Sequence, residues 1–191
     1  YSPTNNQIVF PAAILQEPYY SLDQSQSENY GGIGAVMAHE ISHAFDNNGA
    51  KFDETGSLNN WWTEEDLKAF NKKSKDMIAL FEGVETGFGQ CNGELTVSEN
   101  IADSGGLRAA LEASFKNDKH NFEEFFANWA RVWRIKASVE YSQLLLKVDV
   151  HGPSILRANM QLSNLPEFQA HYKITKSDKM YLPKEKMVAI W

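Results

Sequence analysis

The sequence predicts a mainly α domain of the α+β class. It is expected to be helical except for one short edge strand near the N-terminus. Apolar residues recur at helical spacing through most of the chain, and helix-capping patterns precede two of these stretches. The chain shows no internal repeat, low-complexity tract or convincing linker. A chain of 191 residues buries one sizeable core, so residues 1–191 are expected to form a single domain.

The first expected elements are a strand and a helix. Residues 7–10 have the pattern of a short strand that Pro11 ends, which suits the edge of a sheet. A helix is expected to begin between Glu28 and Ile33 and to run to about Asp46. Residues 47–49, two asparagines and a glycine, tolerate the left-handed conformation that ends many helices. Three glycines near the helix start are poor helix formers, and a close contact with a sheet would explain them.

The remaining elements are expected to be helices joined by loops. Thr63, with Asp66 three residues later, predicts the cap of a long amphipathic helix that reaches about Glu85. A capping-box pattern at residues 96–99 predicts a second long helix that ends near Lys116. The C-terminal stretch is expected to be mostly loop. Helical spacing predicts further helices at residues 122–136, 138–147 and 154–162.

Composition and charge exclude several classes of function. The formal net charge is −7 and no basic stripe is visible, which argues against binding to nucleic acid or to an anionic membrane. No apolar run is long enough for a transmembrane segment. Cys91 is the only cysteine, so no disulfide forms within the chain, and it is assigned no catalytic role because no histidine lies near it in sequence. The cellular compartment stays open.

The motif H-E-x-x-H at residues 39–43 predicts a metal site. Positions four apart lie on one face of a helix, so His39 and His43 can point their imidazoles at one ion. Glu40 is offset on the same side and can reach a water bound to that ion. Catalytic zinc takes three protein ligands and keeps a position open for water, so a third ligand is required elsewhere in the chain.

The candidates for the third ligand are three histidines and a carboxylate cluster. Glu99 and Asp103 are four residues apart and share a helical face, so one can bind the metal while the other accepts a hydrogen bond from a ligand imidazole. Asp46, three residues after His43, can accept such a bond too. Glu99 also fits a simple helix-capping role, and the two aspartates also fit solvated helix surfaces. The candidate histidines are His120, His151 and His171.

Several separate motifs resemble one family. H-E-I-S-H followed by A-F-D, and E-N-I-A-D-S-G-G-L at residues 99–107, are similar to the neprilysin family of zinc metallopeptidases, the M13 endopeptidases. Further similarities are residues 1–12, the D-V-H-G-P segment at 149–153 with Arg157, and the terminal tryptophan. The resemblance covers essentially the whole chain in the right order. It implies a thermolysin-like zincin catalytic domain, the C-terminal catalytic portion of a longer two-domain metalloendopeptidase.

The resemblance also implies a set of metal ligands and a catalytic base. His39, His43 and Glu99 would bind one Zn²⁺ per chain, and Glu40 would be the base. The substrates would be peptides. A purely structural zinc site is disfavoured, because such sites usually use four Cys or His ligands.

The same resemblance implies roles for four supporting residues. Asp46 and Asp103 would orient the ligand histidines, and Asp103 is counted with the catalytic group. His151 would stabilise the oxyanion. Arg157 would bind a carbonyl of the substrate backbone, although a structural ion pair is a strong rival interpretation.

Two departures from the family pattern support a second hypothesis. Family members carry an Asn-Ala-x-Tyr element that binds the substrate backbone, and this chain begins at its final residue, Tyr1. Members also have an upstream helical domain that caps the active site, an expected partner that is absent here. The second hypothesis is therefore a zinc-containing module that binds peptide or protein without turnover. We expect the isolated chain to cleave peptides weakly or not at all.

Overall fold

Helices make up most of the structure, a computed structural model that describes residues 1–116 and 118–191. The mainly α class is therefore confirmed. Among the described residues, no helix has both the length and the apolar character needed to cross a membrane. The helices are α1 (Gln26–Asn29), α2 (Ala35–Ser42), α3 (Glu64–Phe81), α4 (Gly93–Ser114), α5 (Phe122–Val132), α6 (Val139–Val148), α7 (Ser154–Ser163) and α8 (Pro166–His171).

The strand expected at residues 7–10 is not formed, so this prediction is wrong. Pro3–Asn5 form a 3₁₀ turn, and Asn6 adopts left-handed backbone angles with a φ of 43°. The chain therefore folds back on itself, and Gln7 pairs with Ser2 in an isolated bridge. Across the two described ranges, extended pairing is limited to this bridge and to those between Phe52 and Leu58 and between Glu85 and Gln90.

The helix that carries H-E-x-x-H is interrupted at its start. The chain runs from α1 through a π-helical turn, Tyr30–Gly34, before α2 begins. A Cβ atom at Gly31 would lie 2.2 Å from the backbone oxygen of Phe125, and one at Gly32 would lie 2.4 Å from that of Tyr19. The glycines therefore permit a close approach to α5 and to a loop, where a sheet contact was expected.

The end of the metal-motif helix also differs from expectation. A 3₁₀ turn, His43–Phe45, follows α2, and Asp46 is extended with a ψ of −179°. The left-handed ending expected at residues 47–49 is not used, because the positive φ angles of the described residues lie elsewhere in the chain. The turn leaves Asp46 facing back toward His43.

Helix α4 begins earlier than the sequence pattern predicts. Asn92 is its cap and accepts a hydrogen bond from the Leu95 amide, whereas the capping box expected at residues 96–99 is not formed. The Thr96 hydroxyl instead donates to the backbone oxygen of Asn92. Glu99 is therefore an interior helix residue. Its carboxylate is not engaged in capping and faces α2.

Other boundaries differ by a few residues. Thr63 caps α3 as predicted, but the helix ends at Phe81 because Gly83 adopts a positive φ of 71°. Helix α5 stops at Val132, short of the expected residue 136. The C-terminal stretch contains a short helix, α8, where only loop was expected, with Pro166 in its first turn.

Helix α4 separates two hydrophobic clusters and contributes to both. Leu107 and Leu111 pack with residues of α5, α7 and α8, including the buried Trp129. Val97 and Ile101, about two to four turns earlier on α4, pack with α3 and with the C-terminal segment around Val188. The central position of α4 fixes it as the support against which α2 is placed.

Candidate metal centre

Helices α2 and α4 approach each other at a glycine. A Cβ atom at Gly106 would lie 2.4 Å from the backbone nitrogen of His39 and 2.6 Å from its Cα atom. Only the absence of a side chain permits this separation. Since Glu99 and Asp103 precede Gly106 on α4, the close approach brings both carboxylates against the imidazole face of α2.

The structure brings the three ligands implied by the family resemblance together. The Nε2 atoms of His39 and His43 are 3.0 Å apart. Glu99 Oε2 lies 3.3 Å from His39 Nε2 and 3.6 Å from His43 Nε2. Ligands held about 2.0–2.2 Å from a zinc ion at tetrahedral angles are roughly 3.3–3.5 Å from one another. The spacing of the three atoms therefore fits one zinc-sized cation.

The hydrogen bonds of the two histidines leave lone pairs directed at this point. His39 Nδ1 contacts Asp103 at 2.8 Å, and His43 Nδ1 contacts Asp46 at 2.7 Å. An ionised carboxylate only accepts hydrogen bonds, so both Nδ1 atoms carry the proton. In the neutral imidazoles, both Nε2 atoms are then unprotonated and face each other. Two lone pairs at this separation repel unless a cation or a proton lies between them.

Glu99 supplies the third atom without another engagement. Its Oε2 atom is buried and has no hydrogen-bond partner among the described residues. Burial raises the pKa of Glu99, but the polar contact with His39 and the charges of the nearby histidines lower it by more. The carboxylate is therefore ionised at neutral pH. A buried, ionised oxygen of this kind fits a metal ligand.

The surroundings of His39 favour positive charge at the centre. Burial lowers the pKa of His39, but the hydrogen bond to Asp103, the contact with Glu99 and the charge of Asp103 outweigh burial and raise the pKa to about 9. A metal ion binds only the unprotonated Nε2 atom, so metal binding is expected to weaken as the pH falls.

Asp103 holds His39 and Arg157 at once. Its two oxygens accept hydrogen bonds of 2.7 Å from Nε and Nη2 of Arg157, and Oδ1 also accepts the bond from His39. Burial raises the pKa of Asp103, but the Arg157 charge and the His39 hydrogen bond lower it far more. Asp103 therefore stays ionised and is bonded to His39, and its role in orienting that imidazole stays a prediction.

Arg157 forms the ion pair that was the rival interpretation of this residue. Its side chain is buried, and its guanidinium carbon lies 3.6 Å from the centre of the Trp133 ring. The hydrogen bonds to Asp103 explain its position without a substrate. A contact between Arg157 and a substrate carbonyl stays a prediction.

Asp46 is enclosed by hydrogen-bond donors. Its Oδ1 atom accepts bonds of 2.7 Å from the backbone nitrogens of Asn48 and Gly49. Its Oδ2 atom accepts from His43 and, at 2.5 Å, from the hydroxyl of Ser98. Burial raises the pKa of Asp46, and the bonds from His43 and Ser98 lower it by more. The carboxylate thus bonds His43, and its role in orienting that imidazole stays a prediction. No sequence motif indicated the bond from Ser98.

Glu40 follows His39 on α2 and is partly buried. Its Oε2 atom contacts the amino group of Tyr1. The carboxylate lies outside the group of three ligand atoms, as a base that does not bind the metal would.

His151 faces the same glutamate from a loop between α6 and α7. Its Nε2 atom lies 3.4 Å from Glu99 Oε2, and its Nδ1 atom contacts Asp149 Oδ1 at 2.8 Å. Asp149 Oδ1 also accepts from the His151 backbone amide. Asp149 thereby fixes the imidazole, a function that the sequence reading missed. The signal was the D-x-H spacing, which is short enough for an aspartate to bond the following histidine.

The other candidate residues lie elsewhere. His120 bonds to the Ser114 hydroxyl at 2.8 Å, and His171 packs against Phe122 and Phe126. Neither joins the three-atom group. Cys91 is buried, and burial raises the pKa of its thiol, which agrees with the absence of an assigned catalytic role.

A cavity of about 630 Å³ opens beside His151 and Arg157. The cavity is lined by residues of helices α5 and α6 and of the loop that carries His151. Its wall is largely apolar and includes Phe88, Trp133, Ile135, Tyr141, Leu145 and Ile155. The supporting residues of the centre therefore border a space large enough for side chains of a bound molecule.

The chain is similar to known peptidases along its whole length. The family model of Peptidase family M13 matches residues 1–188. A neutral endopeptidase of Lactococcus lactis subsp. lactis (strain IL1403) is 58% identical over 191 residues, which are 100% of this chain and 30% of that protein. Rabbit (Oryctolagus cuniculus) neprilysin is 39% identical over 207 residues, covering 100% of this chain and 27% of that protein.

Two solved structures share the fold. PepO from Lactobacillus rhamnosis superimposes with a TM-score of 0.93 at 44% identity, covering 100% of this chain and 30% of that one. The Mycobacterium tuberculosis zinc metalloprotease Zmp1, in complex with an inhibitor, gives 0.95 at 35% identity, with coverage of 100% and 32%. The chain thus spans about 30% of the length of the curated relatives that match it first. On these matches, the chain belongs to peptidase family M13.

Proposed function

We propose that this chain holds one zinc ion through His39, His43 and Glu99 and forms the catalytic part of a metalloendopeptidase. The observation that carries the proposal is the convergence, among the described residues, of two imidazole Nε2 atoms and a carboxylate oxygen without a hydrogen-bond partner within about 3.6 Å of each other. Membership of a peptidase family and the names of the relatives support the reaction class.

Each side chain has a defined part in peptide hydrolysis. When bound, zinc supplies the Lewis acidity that makes a water nucleophilic near neutral pH. Glu40 removes a proton from this water and later delivers it to the leaving amine. No covalent link to the protein is required, since water is the nucleophile.

His151 stabilises the oxygen that gains negative charge. Because Asp149 accepts the Nδ1 proton, Nε2 donates a hydrogen bond only when the ring is protonated. The donor is then a positively charged imidazolium directed at the developing oxyanion, and one such donor typically contributes about 10²–10³ in rate. Arg157, held by Asp103, would bind a carbonyl of the peptide backbone nearby.

The test of the proposal is the substitution Glu40→Gln. Gln cannot accept the proton. In a polypeptide of the relatives' length, we therefore expect zinc content to stay near one ion per chain while cleavage of an internally quenched peptide falls by about 10²–10⁴. Glu112→Gln, an exposed change on α4, is the matched control and leaves both quantities unchanged. A Glu40→Gln variant as active as the unmodified chain would contradict the assignment of the base.

Peptides are the proposed substrates, and further polypeptide is the proposed partner. The relatives are more than three times as long as this chain. We therefore expect the chain alone to cleave more slowly than the same chain within a polypeptide of the relatives' length. Equal rates would contradict this part of the proposal. Binding of zinc and peptide by both forms without cleavage would support the binding-module alternative.

A further inference from the structure

Asp46 connects His43 to α4 through one side chain. Asp46 is almost completely buried, and the backbone nitrogens that bond its Oδ1 atom belong to its own turn. Its Oδ2 atom accepts one hydrogen bond from His43 and one of 2.5 Å from Ser98 Oγ. Ser98 belongs to α4 and immediately precedes Glu99.

The hydroxyl of Ser98 has a fixed direction. A hydroxyl has a single proton, and the carboxylate of Asp46 can only accept, so Ser98 donates to Asp46. The Asn48 side-chain amide donates in turn to Ser98 Oγ at 3.2 Å. The result is a directed chain of hydrogen bonds from Asn48 through Ser98 to Asp46. The carboxylate at its end holds the Nδ1 proton of His43.

The two ligand histidines are thus held against α4 by different means. Asp103 is itself on α4, so its bond to His39 fixes that imidazole relative to Glu99 directly. Asp46 follows His43 by three residues on the same segment, so the bond between them does not by itself fix their distance from α4. The bond from Ser98 provides that connection beside Glu99.

We propose that Ser98 is a positioning residue of the metal centre, which sets the placement of His43 relative to Glu99 by bonding Asp46. The inference rests on the zinc site proposed above. It adds a residue that touches neither the metal nor a substrate. Groups at this distance from the ion affect affinity, because ligands free to rotate must be ordered when the metal binds.

Three variants of the full chain test the inference. Ser98→Ala removes the hydroxyl, and Ser98→Thr restores it. Ser114→Ala is the matched control: Ser114 is a buried serine at the end of the same helix, and its hydroxyl donates to the backbone oxygen of Leu111. For each variant the zinc dissociation constant is measured by chelator competition, the visible absorption of the Co²⁺-substituted chain is recorded, and thermal unfolding is followed without metal.

We expect Ser98→Ala to raise the zinc dissociation constant about tenfold and to change the Co²⁺ spectrum. Ser98→Thr should return both toward the unmodified values. Ser114→Ala should lower only the unfolding temperature. The inference is overturned if Ser98→Ala binds zinc with unchanged affinity and spectrum, if threonine fails to restore them, or if Ser114→Ala weakens zinc binding equally. An unmodified chain that binds no zinc would instead overturn the metal site itself.

Discussion

Asp149 and His151 illustrate how one carboxylate determines what a neighbouring imidazole can donate. The Asp149 carboxylate holds the Nδ1 proton of His151 and the backbone amide of the same residue. Burial raises the pKa of Asp149, but these hydrogen bonds and the nearby charges lower it by more, so the carboxylate is ionised at neutral pH. Nearly half of the His151 side chain is exposed, and its Nδ1 atom is held by Asp149.

Replacing Asp149 by Ala is expected to slow peptide cleavage by about tenfold or more, because the donor for the oxyanion becomes free to rotate. Zinc content should stay unchanged, since Asp149 bonds none of the three ligands. Asp178→Ala is the control, because Asp178 accepts similar bonds from Thr175 in a surface turn. Steady-state cleavage with elemental analysis makes the comparison, and an equal loss in both variants would contradict the role of Asp149.

At the scale of single residues, sequence spacing predicts which side chains of one helix lie side by side. It does not predict contacts between distant segments. His39 and His43 could be paired from sequence because helical geometry converts a separation of four into adjacency. Spacing alone left Glu99 as one of several third-ligand candidates, since no local rule relates it to a distant helix. Ser98 was not foreseen because its partner, Asp46, lies on another segment.

At the scale of elements, the contact between α2 and α4 depends on two adjacent glycines with different surroundings. A Cβ atom at Gly106 would meet the backbone of His39, which cannot move without displacing a proposed ligand. A Cβ atom at Gly105 would meet the Ser42 hydroxyl at 2.8 Å and the Trp191 ring at 3.1 Å. Both of these are side chains that can shift.

Gly106→Ala is therefore expected to lower the free energy of unfolding by about 1–3 kcal/mol despite the higher helix propensity of alanine. The zinc dissociation constant should rise as well, because α2 is pushed away from Glu99. Gly105→Ala gains the same helix propensity and should be clearly less destabilising. Denaturant unfolding and chelator competition measure both effects. Equal stabilities for the two variants would show that the His39 backbone does not set how closely α2 and α4 approach each other.

One helix start was predicted correctly from sequence and another was not. Thr63 caps α3 as expected, with acidic residues in the first turn after it. At α4, Asn92 and Thr96 are both good N-cap residues, and the structure uses the earlier one, Asn92. There the amide of Gly93 bonds the Glu82 side chain, a tertiary contact that no local pattern contains. The interruption before α2 likewise depends on contacts that the glycines make with Phe125 and Tyr19.

At the scale of the whole molecule, zinc should stabilise the fold, because the ligands come from two separate helices. A ligand present at 100 times its dissociation constant adds about 2.7 kcal/mol to the free energy of unfolding. For a chain of this size, that amount raises the unfolding temperature by roughly 5–11 °C. Glu99→Ala should remove most of the shift. Thermal unfolding with zinc and with excess chelator measures it, and identical curves would contradict a site shared between α2 and α4.

The class of the fold was the most predictable property of the molecule. Helical periodicity is repeated along most of the chain, so errors at single boundaries do not alter the class. The strand at residues 7–10 failed because a short apolar run specifies a strand only when another strand is available to pair with it. Here the left-handed Asn6 turns the chain toward Ser2 instead.

The enclosure of the centre also determines which ions it can accept. Asp46, Glu99 and Asp103 are buried together with a single guanidinium, that of Arg157. With neutral imidazoles, this interior carries an excess of two negative charges. Uncompensated charge raises the free energy of the folded state where water is excluded. Electroneutrality therefore favours a divalent cation over monovalent or trivalent cations of similar radius.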